Sequence, residues 1–123
     1  MRLVALAFTA LVLSGCATQS RHTYDWDGYD SMLYAGYKDP ARMQEMKLEL
    51  ERHIAEMDRS GQKIAPGLLA ELGTLYLQSG SSDQAIMMYG RERDTWPESQ
   101  GLMTAMIKNI ERRKKAKMEV ITQ

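Results

Sequence analysis

The stretch from Leu68 to Pro97, LLAELGTLYLQSGSSDQAIMMYGRERDTWP, constrains the fold more than any other part of the chain. Apolar residues recur at helical spacing as far as Leu77, a Gly/Ser turn interrupts them, a second helical pattern follows, and Pro97 stops it. That periodicity is the mark of amphipathic helices, and Gly80 and Pro97 are residues that end them. The stretch therefore predicts a helix–turn–helix hairpin, and it carries no catalytic constellation. Such a hairpin cannot bury its apolar faces alone, so it requires a helix before it and another after it.

Both flanking helices are legible. Asp39-Pro40 reads as an N-cap followed by proline in the first turn, where its missing N–H costs nothing. The helix it opens is predicted to run from Pro40 to about Arg59, with Met43, Met46, Leu50, Ile54 and Met57 in one stripe and Glu45, Glu49, Arg52, Glu56 and Arg59 opposite. Methionine fills irregular core gaps, so the stripe reads as core rather than as metal or heme ligation. His53, beside the stripe, is expected at its boundary or partly buried, and Gly61 as the left-handed cap. After the hairpin, Ser99 to about Lys117 is predicted helical, with Leu102, Met103, Met106, Ile107 and Ile110 closing the hairpin. Its end, RRKKAK from Arg112 to Lys117, reads as a solvated helix terminus whose cations suit the C-terminal dipole, or as a patch for anionic headgroups. Upstream, Tyr24 to Tyr37 holds four of the six tyrosines and one of the two tryptophans. A short amphipathic helix is expected from Gly28 to Tyr37, capped by Asp27, with Trp26, Tyr29, Leu33 and Tyr34 packed on the helices that follow.

Within the hairpin, Leu69, Leu72, Gly73 and Tyr76, then Ala85, Tyr89 and Pro97, resemble the spacing of the tetratricopeptide signature, a unit of about 34 residues. Gly73 and Ala85 are small where two helices would cross closely, and Tyr76 and Tyr89 are large enough to fill the space beside that crossing. Glu92 stands where the signature has a small residue, which predicts a looser contact with the next helix. The resemblance implies a concave side formed by the first helix, with Ala70, Thr74, Leu77 and Gln78 as its contact face.

The chain opens MRLVALAFTALVLSGC: one basic residue, a short apolar run and a small-residue site, the pattern of a secretory signal. Leu13-Ser14-Gly15-Cys16 resembles the lipobox of bacterial lipoproteins, in which cleavage precedes the cysteine and its thiol and amine become acylated. Several acyl chains give stable anchoring where one would be marginal. Ala17 follows; in such lipoproteins an aspartate at that position favours inner-membrane retention, so the resemblance implies an outer-membrane protein facing the periplasm.

These readings add up to an all-α chain: residues 1–15 a lipoprotein signal, 16–23 a lipidated tether, 24–117 a tetratricopeptide-like antiparallel helical hairpin with flanking helices, about four helices in all, and 118–123 a flexible tail. Its 123 residues fit one domain. Sixteen basic and sixteen acidic residues balance, so nothing points to nucleic acid. With one cysteine no internal disulfide is possible. His22 and His53 lack metal-ligand spacing, and neither stands in a recognisable Ser/His/Asp setting; no catalytic, cofactor or metal residue is assigned.

Tyr24-x-Trp26, then Tyr29 and Leu33-Tyr34, resembles the opening of a family of small bacterial lipoproteins of unknown function in which a Tyr-x-Trp start precedes a tetratricopeptide-like hairpin; here Asp27 intervenes between Trp26 and Gly28. The resemblance runs from Tyr24 to about Ile110. Members are commonly encoded beside a lipoprotein resembling the curli secretion channel and beside another small lipoprotein. It implies a non-enzymatic interaction module held at the membrane by Cys16, with envelope lipoproteins as partners, a curli-secretion-channel-like protein among them. A pilotin-like escort for a channel subunit is the alternative, and a small envelope hydrolase the remote one. Oligomeric state stays open.

Overall fold

The computed structural model describes residues 23–26 and 28–122. The expectations for the leader, for Leu13, Ser14, Gly15 and Cys16, for His22 and for the Asp27 cap lie outside the described residues, as does the side chain of Tyr37. The described residues form five α-helices: α1 (Tyr29–Lys38), α2 (Met43–Ser60), α3 (Leu68–Gln78), α4 (Ser82–Thr95) and α5 (Gln100–Ile121), with 3-10 turns at Pro40–Arg42 and Pro97–Ser99. There is no strand among them, and the chain is all-α as its periodicity predicts.

Local chemistry sets most of the boundaries. Asp39 Oδ1 accepts the Ala41 N–H at 3.0 Å, and Pro40 opens a 3-10 turn that leads directly into α2. Gly61, at φ 68, ends α2 and lets the Gln62 amide reach back to the Met57 carbonyl at 3.1 Å. Gly80, at φ 82, turns the chain between α3 and α4, and the Ser81 amide bonds the Tyr76 carbonyl at 2.8 Å. Left-handed backbone of this kind carries no Cβ penalty at glycine. Pro97 ends α4 because it cannot continue the ladder, and it serves as the first residue of the next turn.

Packing follows from α3, which is apolar on two sides. Leu68, Leu69, Leu72 and Leu75 are buried with Met46, Leu50, Ile54 and Met57 of α2. On its other side Ala70, Tyr76 and Leu77 pack toward Ala85 and Tyr89 of α4 and toward Met103 and Ile110 of α5. Each fully buried aliphatic side chain contributes about 1.5–3 kcal/mol, so these two clusters on either side of α3 hold the layers together. The α3–α4 contact is the most extensive in the fold, followed by α4–α5.

Five expectations need correction. Tyr34 points outward, 63% exposed, with the Lys38 ammonium 4.7 Å from its ring centre; Met32, Leu33 and Tyr34 span too wide an arc of one helix to share a core face, and Met32 and Leu33 take it. Leu102 is 65% exposed, because it falls about a quarter-turn from the face that Met103 and Ile110 bury. His53, expected at the boundary or partly buried, is almost wholly buried. The segment from Met118 to Ile121, expected in a flexible tail, is the last turn of α5, since neither Gly nor Pro follows Lys117 to end the helix. Glu92, expected to loosen a contact, is completely buried.

Candidate interaction surfaces

Leu69 and Leu72 are buried against α2, and Ala85 and Tyr89 are fully buried between α3, α4 and α5. Gly73 lies under the Tyr89 ring: a Cβ there would meet Cε1 at 2.8 Å. The Tyr89 hydroxyl donates to Thr74 Oγ1 at 3.0 Å, and the Thr74 hydroxyl in turn donates to the Ala70 carbonyl at 3.0 Å. Tyr76 is half-buried between the two clusters, with Lys47 over its ring at 5.5 Å. Burial first, then the neighbouring Glu51 side chain, push the Tyr76 phenol up to about 12.

Glu92 was not recognisable as a structural residue from its position in the sequence. Its Oε1 accepts the Gly67 N–H at 2.8 Å, just before α3 begins, and the Ser99 hydroxyl at 3.1 Å, just before α5 begins. One carboxylate thus ties the entrances of two helices to the last turn of α4. Amides at a helix entrance lack intrahelical partners, and a carboxylate suits the positive end of the dipole. The cue was present only as a Glu on an otherwise core-facing position, and its partners are distant in sequence.

The four residues of the expected contact face do not line one groove. Ala70 and Leu77 pack toward α5, Thr74 is engaged with Tyr89, and Gln78 lies in a shallow depression with Met43, Gln44 and Lys47. Leu77 does reach a groove, of about 250 Å³, between the hairpin turn and α5. Leu77, Met106 and Ile110 line it with apolar surface, and Arg113, Lys114 and Lys117 add the charged side. These α5 residues recur at three- and four-residue spacing, so one stripe of the helix changes from apolar to cationic along its length. Lys114 pairs with Asp83 across the mouth. A second depression of about 520 Å³ adjoins it at Gly80, Ser81, Met118 and Ile121.

At the opposite end, Tyr24, Asp25, Trp26, Tyr29, Asp30 and Gln62 surround an open cleft of about 1010 Å³. Several contacts build it. His53 Nε2 donates to the Asp25 carbonyl at 3.1 Å. Tyr24 meets Trp96 edge-on at 5.4 Å, and the Lys63 ammonium lies 3.7 Å from the Trp96 ring centre. Burial first, then the charge of the neighbouring Glu71 carboxylate, push the Tyr29 phenol up to about 12. Burial likewise holds the Glu71 carboxyl above the usual range.

Among the described residues no group of three or more His, Cys, Asp or Glu side chains is placed to hold a metal ion, and no helix is long and apolar enough to cross a membrane. A family model described as a domain of unknown function, DUF4810, matches residues 23–106. The chain belongs to the DUF4810 family. No curated protein and no solved structure matches it. The DUF4810 match takes in the acidic cleft, all of α1 to α4 and the apolar start of α5, and it ends at Met106, ahead of the cationic run.

Proposed function

We propose that this DUF4810 protein is a lipid-anchored interaction module on the periplasmic side of the outer membrane, engaging another envelope lipoprotein. The partner implied by the sequence resemblance is a curli-secretion-channel-like protein, and a tetratricopeptide-like arrangement of the hairpin belongs to the same reading. The observation that carries the proposal is the groove between the hairpin turn and α5, apolar at Leu77, Met106 and Ile110 and cationic at Arg113 and Lys117. Such a surface buries aliphatic side chains of a partner while its rim selects for acidic ones. Acylation at Cys16 would confine the groove to a membrane surface and so raise its effective concentration for proteins held there.

The test combines fractionation with crosslinking in cells. The intact chain is expected with outer membranes, and Cys16→Ser is expected to leave them. Met106→Glu should remain at the membrane and lose its crosslinked partner. A stoichiometric complex marks a permanent subunit; a channel subunit mislocalised when this chain is absent marks a pilotin-like escort. Unchanged membrane association of Cys16→Ser refutes the anchor, and an undiminished partner with Met106→Glu refutes the groove.

A further inference from the structure

From the sequence, the run Arg112–Lys117 reads as a solvated helix end or as a patch for anionic headgroups, and the end of α5 decides between them. Ile110 is the last buried residue of α5, yet the helix continues to Ile121, about 16 Å further at helical rise. Along this stretch Lys114 pairs with Asp83, whereas Lys108, Arg112, Arg113, Lys115 and Lys117 make no ion pair among the described residues. The residues outside the described ones, 1–22, 27 and 123, hold a single carboxylate side chain, Asp27. Its neighbours Trp26 and Gly28 line the cleft at the other end of the molecule. Within 108–121 the carboxylates are Glu111 and Glu119. With each of them set against one cation, three cations of the helix end remain uncompensated.

Apolar side chains complete the pattern. Met118, Val120 and Ile121 are 62%, 77% and 74% exposed, three of the seven large apolar side chains exposed among the described residues. Gathered in one turn, they differ from the single apolar residues scattered over an ordinary surface. At about 100° per residue, Arg112, Arg113, Lys115 and Lys117 cover more than half the circumference of the helix, and Met118, Val120 and Ile121 nearly half. Neither set forms the one stripe that a protein groove reads. They are ordered along the axis instead: a cationic collar at 112–117, then an apolar last turn at 118–121. That is the order in depth of an anionic headgroup layer over acyl chains, where lysine and arginine keep their charges at headgroup level and apolar side chains go deeper. The Thr122 hydroxyl donates to the Met118 carbonyl at 2.6 Å, which satisfies one of the carbonyls that a helix end leaves open. We propose that the end of α5 docks on an anionic phospholipid surface, with the Met118–Ile121 turn at the acyl boundary and the collar among the phosphates. Each collar cation strengthens such docking by up to about fivefold. Cys16 and this helix end can meet the same surface: the eight residues from Cys16 to Tyr24 span up to about 28 Å, and α5, with 22 residues and about 33 Å of length, need only lean. The docking rests neither on acylation nor on the partner of the groove.

The test uses the full chain with Cys16→Ser, so that no acyl chain contributes, and Val120→Cys, which carries an environment-sensitive fluorophore on the single thiol. Vesicles are made of phosphatidylcholine alone or of equal parts phosphatidylcholine and phosphatidylglycerol. On the anionic vesicles the emission should shift to the blue and the label should be shielded from aqueous iodide; on phosphatidylcholine alone it should stay in water. Raised salt should move the equilibrium of the helix end toward water by about tenfold or more. The pair Arg112→Glu/Lys115→Glu, which leaves the groove lining intact, should remain folded by circular dichroism and abolish the shift. The two vesicle compositions decide the matter for the unreversed chain even if that pair unfolds. Because Cys16 is replaced and Leu77, Met106 and Ile110 are untouched, the outcome is separate from that of the proposed function. A label that stays in water on anionic vesicles, one that enters both vesicle types equally, or a charge-reversed chain that is folded and enters undiminished would overturn the proposal. Binding of polyglutamate without entry into either vesicle would assign the collar to an acidic protein and overturn it as well.

Discussion

The ring of Tyr89 lies on the backbone of Gly73, so closely that a Cβ at residue 73 would stand 2.8 Å from Cε1 and 2.9 Å from Cδ1. Neither partner can easily give way. The ring is completely buried and its hydroxyl is held by Thr74. In an exposed helix Gly→Ala would gain about 1 kcal/mol of propensity. Here overpacking costs about 1–3 kcal/mol, so Gly73→Ala is expected to destabilise the fold, in contrast to Gly101→Ala, where the added Cβ meets open space. Urea unfolding of the two variants checks this directly.

Glu92 offers a sharper energetic contrast. Charged hydrogen bonds contribute about 1.5–3 kcal/mol each, and Glu92 accepts two. Glu92→Ala removes both, leaves a cavity and exposes the Gly67 amide to an unpaired state; the expected loss is about 3–5 kcal/mol. Glu92→Gln keeps a carbonyl oxygen at the same place and should lose less than half as much. Equal losses in the two variants would show that charge rather than the acceptor position matters.

Alkaline pH should weaken the fold through two phenols. Tyr29 and Tyr76 hold their protons up to about 12 in the folded chain, while a phenol in the unfolded chain ionises near 10. Between those values the folded state carries the extra protons, so stability is fully present below pH 10 and falls as pH rises through the window. Tyr29→Phe and Tyr76→Phe should each flatten the fall in urea midpoint above pH 10, and tyrosinate absorbance should show one fewer late-titrating phenol in each variant.

A surface tie between α2 and α4 should matter less. Arg91 Nη2 donates to both oxygens of Asp58, at 2.7 and 2.9 Å. The two side chains are 36% and 49% exposed, and partly exposed pairs contribute about 0.2–1 kcal/mol. A double-mutant cycle on Arg91→Ala and Asp58→Ala is expected to give a coupling in that range that shrinks with salt.

Helix periodicity made the all-α fold, the α2 stripe and the hairpin legible, because each rests on residues three and four apart. The Asp39-Pro40 cap and the turns at Gly61 and Gly80 were legible for the same reason: a local backbone need selects the residue type. Burial was harder. Tyr34 and Leu102 are apolar residues one step off a buried face, and only the position of the neighbouring helix decides which side of the step is covered. Glu92 was misread because its partners at Gly67 and Ser99 come from the entrances of two other helices, a relationship that no local spacing encodes. The expected contact face divided for a related reason, since α5 covers the surface that Ala70 and Leu77 would otherwise present.

The most direct test of the account places a photocrosslinking residue at Asn109, which lines the groove, in cells making the otherwise intact protein. The account predicts one discrete product with an envelope lipoprotein other than this chain, found in the outer-membrane fraction and lost on introducing Met106→Glu. Crosslinks that survive Met106→Glu unchanged, or a groove that captures no such lipoprotein, would contradict it.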